Sequence, residues 1–494
     1  MSLSEYRIDA FSGIDQSAAE GMIPPGASPD ACNMDTADGC LAVAKGYVKH
    51  IVAPLPGNKP IRRLLFWQGL VSGRFLAVAG NEVYSYTVTD VSPSWKLLFT
   101  YPETVKNLRV DFCEAQIGSA DHLLIACGEH QIMKWDGAAS SMQAFGSAEK
   151  VSNLPVNYLA MHYGRLFAAG DPGHPCRLYW SKVPGDSRTI EDWAADPNNE
   201  NSSGGFVEVG DTSGDPITGL CALSNQLLIW KRRSLYRLLG DRPGNYRVYR
   251  VHAEVEQMQD AACALYGDVP YWMTGAGLFF FDGQTAQKSL TARRIRTFLE
   301  GASTANCRAA KRGETLYFTA YEKARDPQNL GSQRTMDNAL IVYDIARQAY
   351  MIRRGFQISD LCAHDGALYL INDQRIVYRF EEGADYDGVS IEAYWKTPLT
   401  DLNSKPGIKN LQELYLRGEG MGGGEGAVLL LDARIGRNLH VFRCLMPENE
   451  TDVLEIPLKN EGRTFRLQFS NEAGSRFRIL GGVQLLFEHR LRAI

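Results

Sequence analysis

Short apolar and aromatic runs alternate with turn residues along most of this chain, from Ile61 to Phe380. The stretch from Gly267 to Gly283 shows the unit. Val269-Pro-Tyr-Trp-Met is an apolar run, Gly275-Ala-Gly breaks it, and Leu278-Phe-Phe-Phe281 follows, closed by Asp282-Gly283. Two such runs around a glycine-rich turn predict a β-hairpin. Related hairpins begin at Gly73, Asp121, Gly164, Asn225, Gly267, Gly313 and Gly366, at spacings of 48, 43, 61, 42, 46 and 53 residues. Repeats of roughly 40–50 residues with about four strands each predict the blades of a β-propeller. The count is seven, or six if an end unit belongs elsewhere.

The later strands of the units align as Val83–Tyr86, Gln131–Trp135, Arg177–Trp180, Leu235–Leu238, Leu278–Phe281, Leu340–Tyr343 and Ile376–Phe380. Fourth strands follow in six units. The seventh lacks one, and an isolated strand at 40–51, bent near Gly46, is positioned to supply it and remove two exposed sheet edges. The first strands are rich in small residues and carry Cys113, Cys221, Cys263, Cys307 and Cys362. Small side chains suit strands that converge at the centre of a propeller, so these thiols are expected to pack rather than react. The run Leu278–Phe281 is expected between blades, with Phe280→Asp disrupting the fold.

The remaining segments divide the chain into an extended N-terminal arm at 1–39, the propeller at 40–382 and a C-terminal β-sandwich at 388–494. In the arm, Pro24, Pro25 and Pro29 exclude a regular helix or central strand. Past 388, apolar runs at Leu411–Arg417, Ala427–Asp432, His440–Cys444, Thr464–Phe469 and Val483–Arg490 predict the sandwich. Two insertions, Val183–Gly205 and Tyr321–Asp337, interrupt the repeat and are expected to contact a partner subunit. The fold class is therefore all-β.

Composition narrows the function. The 494 residues carry a formal charge of −5, which argues against a protein held to nucleic acid by a dominating positive field. Ten cysteines occur with no C-x-x-C pair and no zinc-like spacing, as expected of reduced thiols in a cytoplasm. No signal core stands at the N-terminus and no long apolar run predicts a membrane span.

Motifs for chemistry are weak. Asp360, Cys362, His364 and Asp365 lie close together but read as a strand running into a turn. Asp111, Glu114, Asp260 and Asp360 lie near first strands, where glycosidase propellers place carboxylates. The basic groups Lys231-Arg232-Arg233, Arg293-Arg294-Ile295-Arg296 and Arg353-Arg354 read as solvated surface or subunit salt bridges, with weak contact to a passing DNA backbone as the alternative. Asp35 and Asp38 read as turn formers rather than a calcium site. Trp135-Asp136 is a single turn, not a repeated signature of intracellular scaffold propellers. No residue is assigned to catalysis, to a cofactor or to a metal.

One set of residues carries a resemblance. Phe11-Ser-Gly-Ile-Asp15, Ile23-Pro-Pro-Gly-Ala-Ser-Pro-Asp30, Asn33, Asp35, Gly39 and Lys45-Gly46-Tyr47 resemble the N-terminal arm of phage virion propeller proteins. Leu227-Leu-Ile-Trp-Lys-Arg-Arg-Ser-Leu-Tyr-Arg-Leu238 and Trp395-Lys-Thr-Pro398 are similar to further stretches of that family. Ala44-Lys45, where two basic residues are usual, and Asp15-Gln16, where asparagine is usual, depart from it. Within the family the chain looks most like the tail nozzle, or tail tubular, proteins of short-tailed phages. The resemblance implies a structural virion protein without enzyme activity. It also implies a homo-hexameric ring that contacts a tail adaptor or portal-associated protein and tail fibre or needle proteins, with DNA passing through. The alternative is a receptor- or glycan-binding propeller at the tail tip, with or without glycosidase activity.

Overall fold

The computed structural model describes residues 3–69, 73–105, 110–146, 154–185, 189–196, 198–210, 214–251, 263–322, 337–404, 407–421, 427–435, 438–448, 452–472 and 474–489. Seven antiparallel sheets follow one another from Ile61 to Phe380. Blade 1 is Ile61–Trp67, Arg74–Ala79, Glu82–Thr87 and Lys96–Thr100, and blade 2 runs from Asp111–Ile117 to Gln143–Ala144. Blades 3, 4 and 5 begin at Tyr158–His162, Ile217–Ala222 and Cys263–Tyr266. Blade 6 is Ala309–Arg312, Thr315–Glu322, Asp337–Asp344 and Ala349–Arg353, and blade 7 begins with Asp360–His364, Ala367–Ile371 and Val377–Phe380.

The blades adhere through their faces. Second strands such as Arg165–Asp171 and Gln226–Lys231 are buried at every position, because a blade has a neighbour on each side. Leu76 and Val78 of blade 1 meet Leu123 and Ile125 of blade 2, and Trp230 of blade 4 meets Trp272 of blade 5 with ring centroids 5.6 Å apart. The run Leu278–Phe281 packs on both faces of its blade. Leu278, Phe279 and Phe281 are buried, whereas Phe280 is half-buried and stacks on Tyr271 at the partly open side of the sheet. Alternation along the strand turns Phe279 and Phe281 toward Trp230 of blade 4, and Leu278 and Phe280 to the opposite face of the blade.

Ring closure uses a strand from before the first blade. Tyr47–Ile51 pairs antiparallel with Val377–Phe380, with Tyr47 opposite Phe380. The strand predicted over 40–51 is in fact two strands in two sheets. Leu41–Val43 pairs with Phe477–His489 of the C-terminal domain, and the chain crosses to blade 7 at Gly46. A Cβ on Gly46 would lie 1.7 Å from the Asp385 carbonyl oxygen, so glycine is required where the crossing chain passes the linker. Cys307, expected on a first strand, lies in the turn before Ala309–Arg312 and is fully buried.

The C-terminal residues form two sheets, and the N-terminal arm completes both. One contains Lys409–Gly420, Val453–Gly462 and Phe477–His489, joined by Leu3–Ile8, Leu41–Val43 and Met34–Asp35. The other contains Val428–Ile435, Asn438–Leu445, Phe465–Asn471 and Tyr394–Lys396, with Ala31–Cys32 at its edge. The arm is thus woven into the sandwich. Its remaining pair, Gly13–Ile14 with Ala27–Ser28, lies against the last strand of blade 6. Phe11 sits between the sheets, edge-on to Trp395 at 5.7 Å and Phe469 at 6.1 Å.

Described residues of the Val183–Gly205 insertion pack on the chain's own propeller. Ile190 and Trp193 pack with Phe145 and Leu154 between blades 2 and 3. The buried Arg165 guanidinium donates to the carbonyls of Ser181, Asn201 and Ser203 at 2.6, 2.5 and 2.9 Å. A fixed guanidinium fork inside the turn holds backbone that would otherwise bury unpaired carbonyls. Most of the Tyr321–Asp337 insertion, like Asp260, lies outside the described residues.

His162, on the first strand of blade 3, is buried against Tyr163 and Phe167, and burial lowers its pKa. Burial likewise lowers that of His50, with the Arg379 charge adding to it. Each depressed histidine contributes stability that is present above its unfolded pKa and is lost as pH falls through its folded one. The melting temperature is therefore expected to fall between about pH 7 and about pH 5, the range in which an unfolded histidine takes up its proton. In His162→Gln that slope should be shallower; an unchanged slope in thermal scans would exclude His162 as a source.

Candidate functional site

First strands begin at one end of the central channel, because each blade repeats the same strand direction about the axis. Two candidate carboxylates stand there at matching positions. Asp111 opens the first strand of blade 2, and its Oδ2 accepts from the Leu159 amide of blade 3 at 2.9 Å. Asp360 opens the first strand of blade 7, and its Oδ2 accepts from the Leu64 amide of blade 1 at 2.6 Å. Each acid links one blade to the next.

Asp360 is fully buried, and its Oδ1 faces Arg308 Nε at 3.5 Å and Arg63 Nη1 at 3.8 Å. Arg308 belongs to blade 6 and donates on to the Arg62 carbonyl at 3.2 Å. Blades 6, 7 and 1 thus meet at one carboxylate, where the sequence-distant ends of the propeller close. A carboxylate so engaged is poorly placed to act as an acid or nucleophile. Glu114 is exposed on the same blade as Asp111, and burial followed by the Asp121 charge raises its pKa.

The cluster around Cys362 resolves in the same way. Asp360, Cys362 and His364 alternate along one strand, but His364 stacks on Phe66 with centroids 3.7 Å apart. Burial, followed by the Asp360 charge, raises the Cys362 thiol, and burial first pushes Cys113 and Cys307 up to about 12. The hydrogen bond with Cys221 on blade 4, then burial, raises Cys263. Thiols with raised pKa values hold little thiolate at neutral pH, which suits packing. Asp365 is a left-handed turn residue with φ 46°.

The basic groups divide. Arg232, Arg233, Arg293 and Arg296 are exposed, as expected of solvated surface. Lys231 is instead buried and donates to the Val209 carbonyl at 2.7 Å, and Arg353 and Arg354 are built into an internal joint. Arg353 pairs with Asp35 and donates to the Met34 carbonyl at 2.8 Å, while Arg354 meets Glu322 through two N–H groups at 2.6 and 2.8 Å. Asp38 sits in a left-handed turn with φ 54°, and no group of three metal-ligating side chains occurs among the described residues.

That joint centres on Asn33, which sequence reasoning registered only as part of a motif. Its side-chain amide donates to the carbonyls of Arg354 and Glu392 at 3.0 and 2.8 Å. Its side-chain oxygen accepts from the Arg354 amide at 2.8 Å and the Tyr386 hydroxyl at 3.3 Å. Its backbone bonds Ile352 and Ala44. Arm, blade 6, linker and sandwich meet at this buried residue, whose φ of 52° asparagine tolerates better than most side chains. Beside it, Asp30 accepts from Tyr394 and Lys396 at 3.0 and 2.5 Å. Tyr47 stacks on Tyr386 with centroids 5.1 Å apart.

The strand pairing defines a seven-bladed β-propeller joined to a β-sandwich. Among the described residues no helix is long and apolar enough to cross a membrane. No protein-family model matches the chain, and no curated protein matches it. Among solved structures it is similar to PorZ, a surface component of the type IX secretion system of Porphyromonas gingivalis, at 11% identity and a TM-score of 0.40. That match covers 70% of this chain and 42% of PorZ, so the chain spans less than half of that protein's length. It is also similar to the Pan2 WD40 domain of Neurospora crassa, at 9% identity and a TM-score of 0.41, over 68% of this chain and 94% of that domain.

Substitutions at three residues separate the joint from the ring closure. Asn33→Gly keeps the left-handed backbone but strands two carbonyls and two donors, and is expected to destabilise by about 2–4 kcal/mol in urea unfolding. Asn33→Ala should cost roughly 1 kcal/mol more through backbone strain; equal effects of the two would remove the conformational part of the argument. Asp360→Ala leaves Arg63, Arg308 and the Leu64 amide unmatched and should cost about 3–5 kcal/mol. Asp111→Ala, which loses mainly one amide bond, should cost about 1–2 kcal/mol by the same measurement.

Proposed function

We propose that this chain is a structural component of a phage tail: a nozzle protein that assembles into a ring for DNA ejection and carries no enzyme activity. The observation that carries the reading is where the family-like residues lie. Phe11, Gly26, Asp30, Asn33, Asp35, Gly46, Tyr47, Trp395 and Lys396 are far apart in sequence yet meet in one joint between arm, propeller and sandwich. Gly26 belongs there for the same reason as Gly46, since a Cβ would lie 1.9 Å from the Ala10 carbonyl oxygen. A motif of this kind serves a rigid shape rather than a reaction.

A ring needs contacts between copies. The edge strand Asn438–Leu445 of the sandwich turns Leu439, Val441 and Leu445 to solvent, each more than 60% exposed. Alternate apolar residues on an open edge suit burial against a second copy of the chain. A glycosidase at the propeller mouth is disfavoured by the engagement of Asp111 and Asp360 between blades.

The test is particle imaging by negative-stain electron microscopy together with mass photometry. Ring-shaped oligomers are expected, either alone or on addition of a tail adaptor protein. A chain that stays monomeric in both conditions would rule out the nozzle reading, and turnover of a surface glycan would favour the tail-tip alternative.

A further inference from the structure

The open edges of the sandwich are not protected alike. In one sheet the order runs from Asn438–Leu445 through Val428–Ile435, Phe465–Asn471 and Tyr394–Lys396 to Ala31–Cys32. In the other it runs from Val453–Gly462 through Lys409–Gly420 to Phe477–His489, whose far side takes Leu3–Ile8 and Leu41–Val43. Val428–Ile435 touches Val453–Gly462. Asn438–Leu445 and Val453–Gly462 therefore share one flank, and Leu3–Ile8 lies at the opposite one.

Val453–Gly462 is blunted against strand addition. Pro457 lacks an N–H, Lys459 holds a left-handed φ of 47°, and the register with Lys409–Gly420 shifts between Leu411 and Glu413. The other two edges carry no such device. Asn438–Leu445 pairs without a break along Val428–Ile435, as Leu3–Ile8 does along Val483–Glu488, and neither contains proline. Each turns alternate residues to solvent: Leu439, Val441, Arg443 and Leu445 on one, Leu3, Glu5 and Arg7 on the other. No further strand pairs with either edge among the described residues.

We propose that the Asn438–Leu445 edge of one copy pairs antiparallel with the Leu3–Ile8 edge of the next, with Arg443 opposite Glu5. This register sets Leu445 opposite Leu3, lays the stem of Arg7 along Val441 and, on the inner face, brings Phe442 opposite Tyr6. A shift of two residues, which keeps the same faces, sets Arg443 against Leu3 or Arg7. A parallel arrangement that matches Leu439 to Leu3 also sets Arg443 against Arg7. Within one chain Arg443 pairs with Glu472, and Glu5 with Arg7, all on open surface, where such pairs are weak and readily exchanged. Two different edges on opposite flanks make a head-to-tail contact, the kind that closes into a ring instead of stopping at a dimer. The pairing rests on the nozzle reading for its second copy and adds to it the two strands that meet.

Cross-linking of the full chain, alone and with a tail adaptor protein, tests it. An Arg7→Cys/Val441→Cys variant treated with a short bis-maleimide is expected to give a ladder of linked copies, and either single variant, which reports the native thiols, is not. Arg443→Glu and Glu5→Arg should each weaken assembly by about tenfold or more, read by mass photometry, and the two together should recover most of it. Rings that leave the double-cysteine variant unlinked overturn the pairing and leave the nozzle reading standing. Linked open chains that never close do the reverse, and a protein monomeric in both conditions overturns both. A folded Glu5→Arg/Arg443→Glu variant that assembles no better than either single one overturns the register.

Discussion

Asn33 holds together four parts of the chain that have no reason to meet through local structure. It bonds the end of blade 6 at Arg354, the linker at Tyr386 and the start of the sandwich at Glu392, all from inside the N-terminal arm. Every polar atom of its side chain is used, and that matters because the site is buried and an unmatched amide there costs more than a made bond returns. The neighbouring ion pairs, Asp35 with Arg353 and Asp30 with Lys396, extend the same joint along the arm. Once the arm is fixed at Asn33, Gly46 directs the chain across the linker and Tyr47–Ile51 falls into place as the fourth strand of blade 7. Closure of the propeller and completion of the sandwich are therefore one event.

The ring has a second fastening at its inner end. Closure at the outer edge joins strands by a backbone ladder, while closure at the channel joins blades 6, 7 and 1 through Asp360. The two devices act at opposite ends of the same blade. An outer ladder alone would leave the innermost strands, with their small residues and partly open Cys113, Cys263 and Cys362, free to separate. The equivalent bond from Asp111 to Leu159 shows that the inner pin is not confined to the closure point.

The repeat was legible because blade strands are short, bounded by turn residues and buried on both faces, so the pattern survives without any partner being known. The later strands of all seven units lie where periodicity places them. What the pattern could not carry was long-range pairing. Nothing local to Leu3–Ile8 says that it lies beside Val483–Glu488, and nothing in 40–51 says that its two halves serve different sheets. Three phenylalanines in a row look alike, and only the register decides which face of the blade each one takes. The candidate acids were found by position, but their role needed distances. Asp360 reads as a possible catalyst until one of its oxygens is seen to accept a backbone amide between blades and the other to face two arginines. Asn33 had no signal of its own beyond the motif, since a single asparagine in a proline-rich arm is ordinarily a turn former.

The pairing of the first described strand with the last also constrains how the fold can form. Leu3–Ile8 finds its partner only in Phe477–His489, and Leu41–Val43 docks on the same strand. Non-local strand pairs form late, because loop closure must precede the contacts that reward it. Blades 1 to 6 each have all four strands in sequence order and can pair as the chain emerges. Blade 7 must wait for its returning strand, and that strand is positioned by an arm whose own sheets are incomplete until the final strand exists. The consequence is a chain whose middle is assembled locally and whose two ends become ordered together. Such coupling makes arm, propeller and sandwich one mechanical body, so a load applied to the sandwich is carried through the Asn33 joint into the closed ring rather than into a hinge.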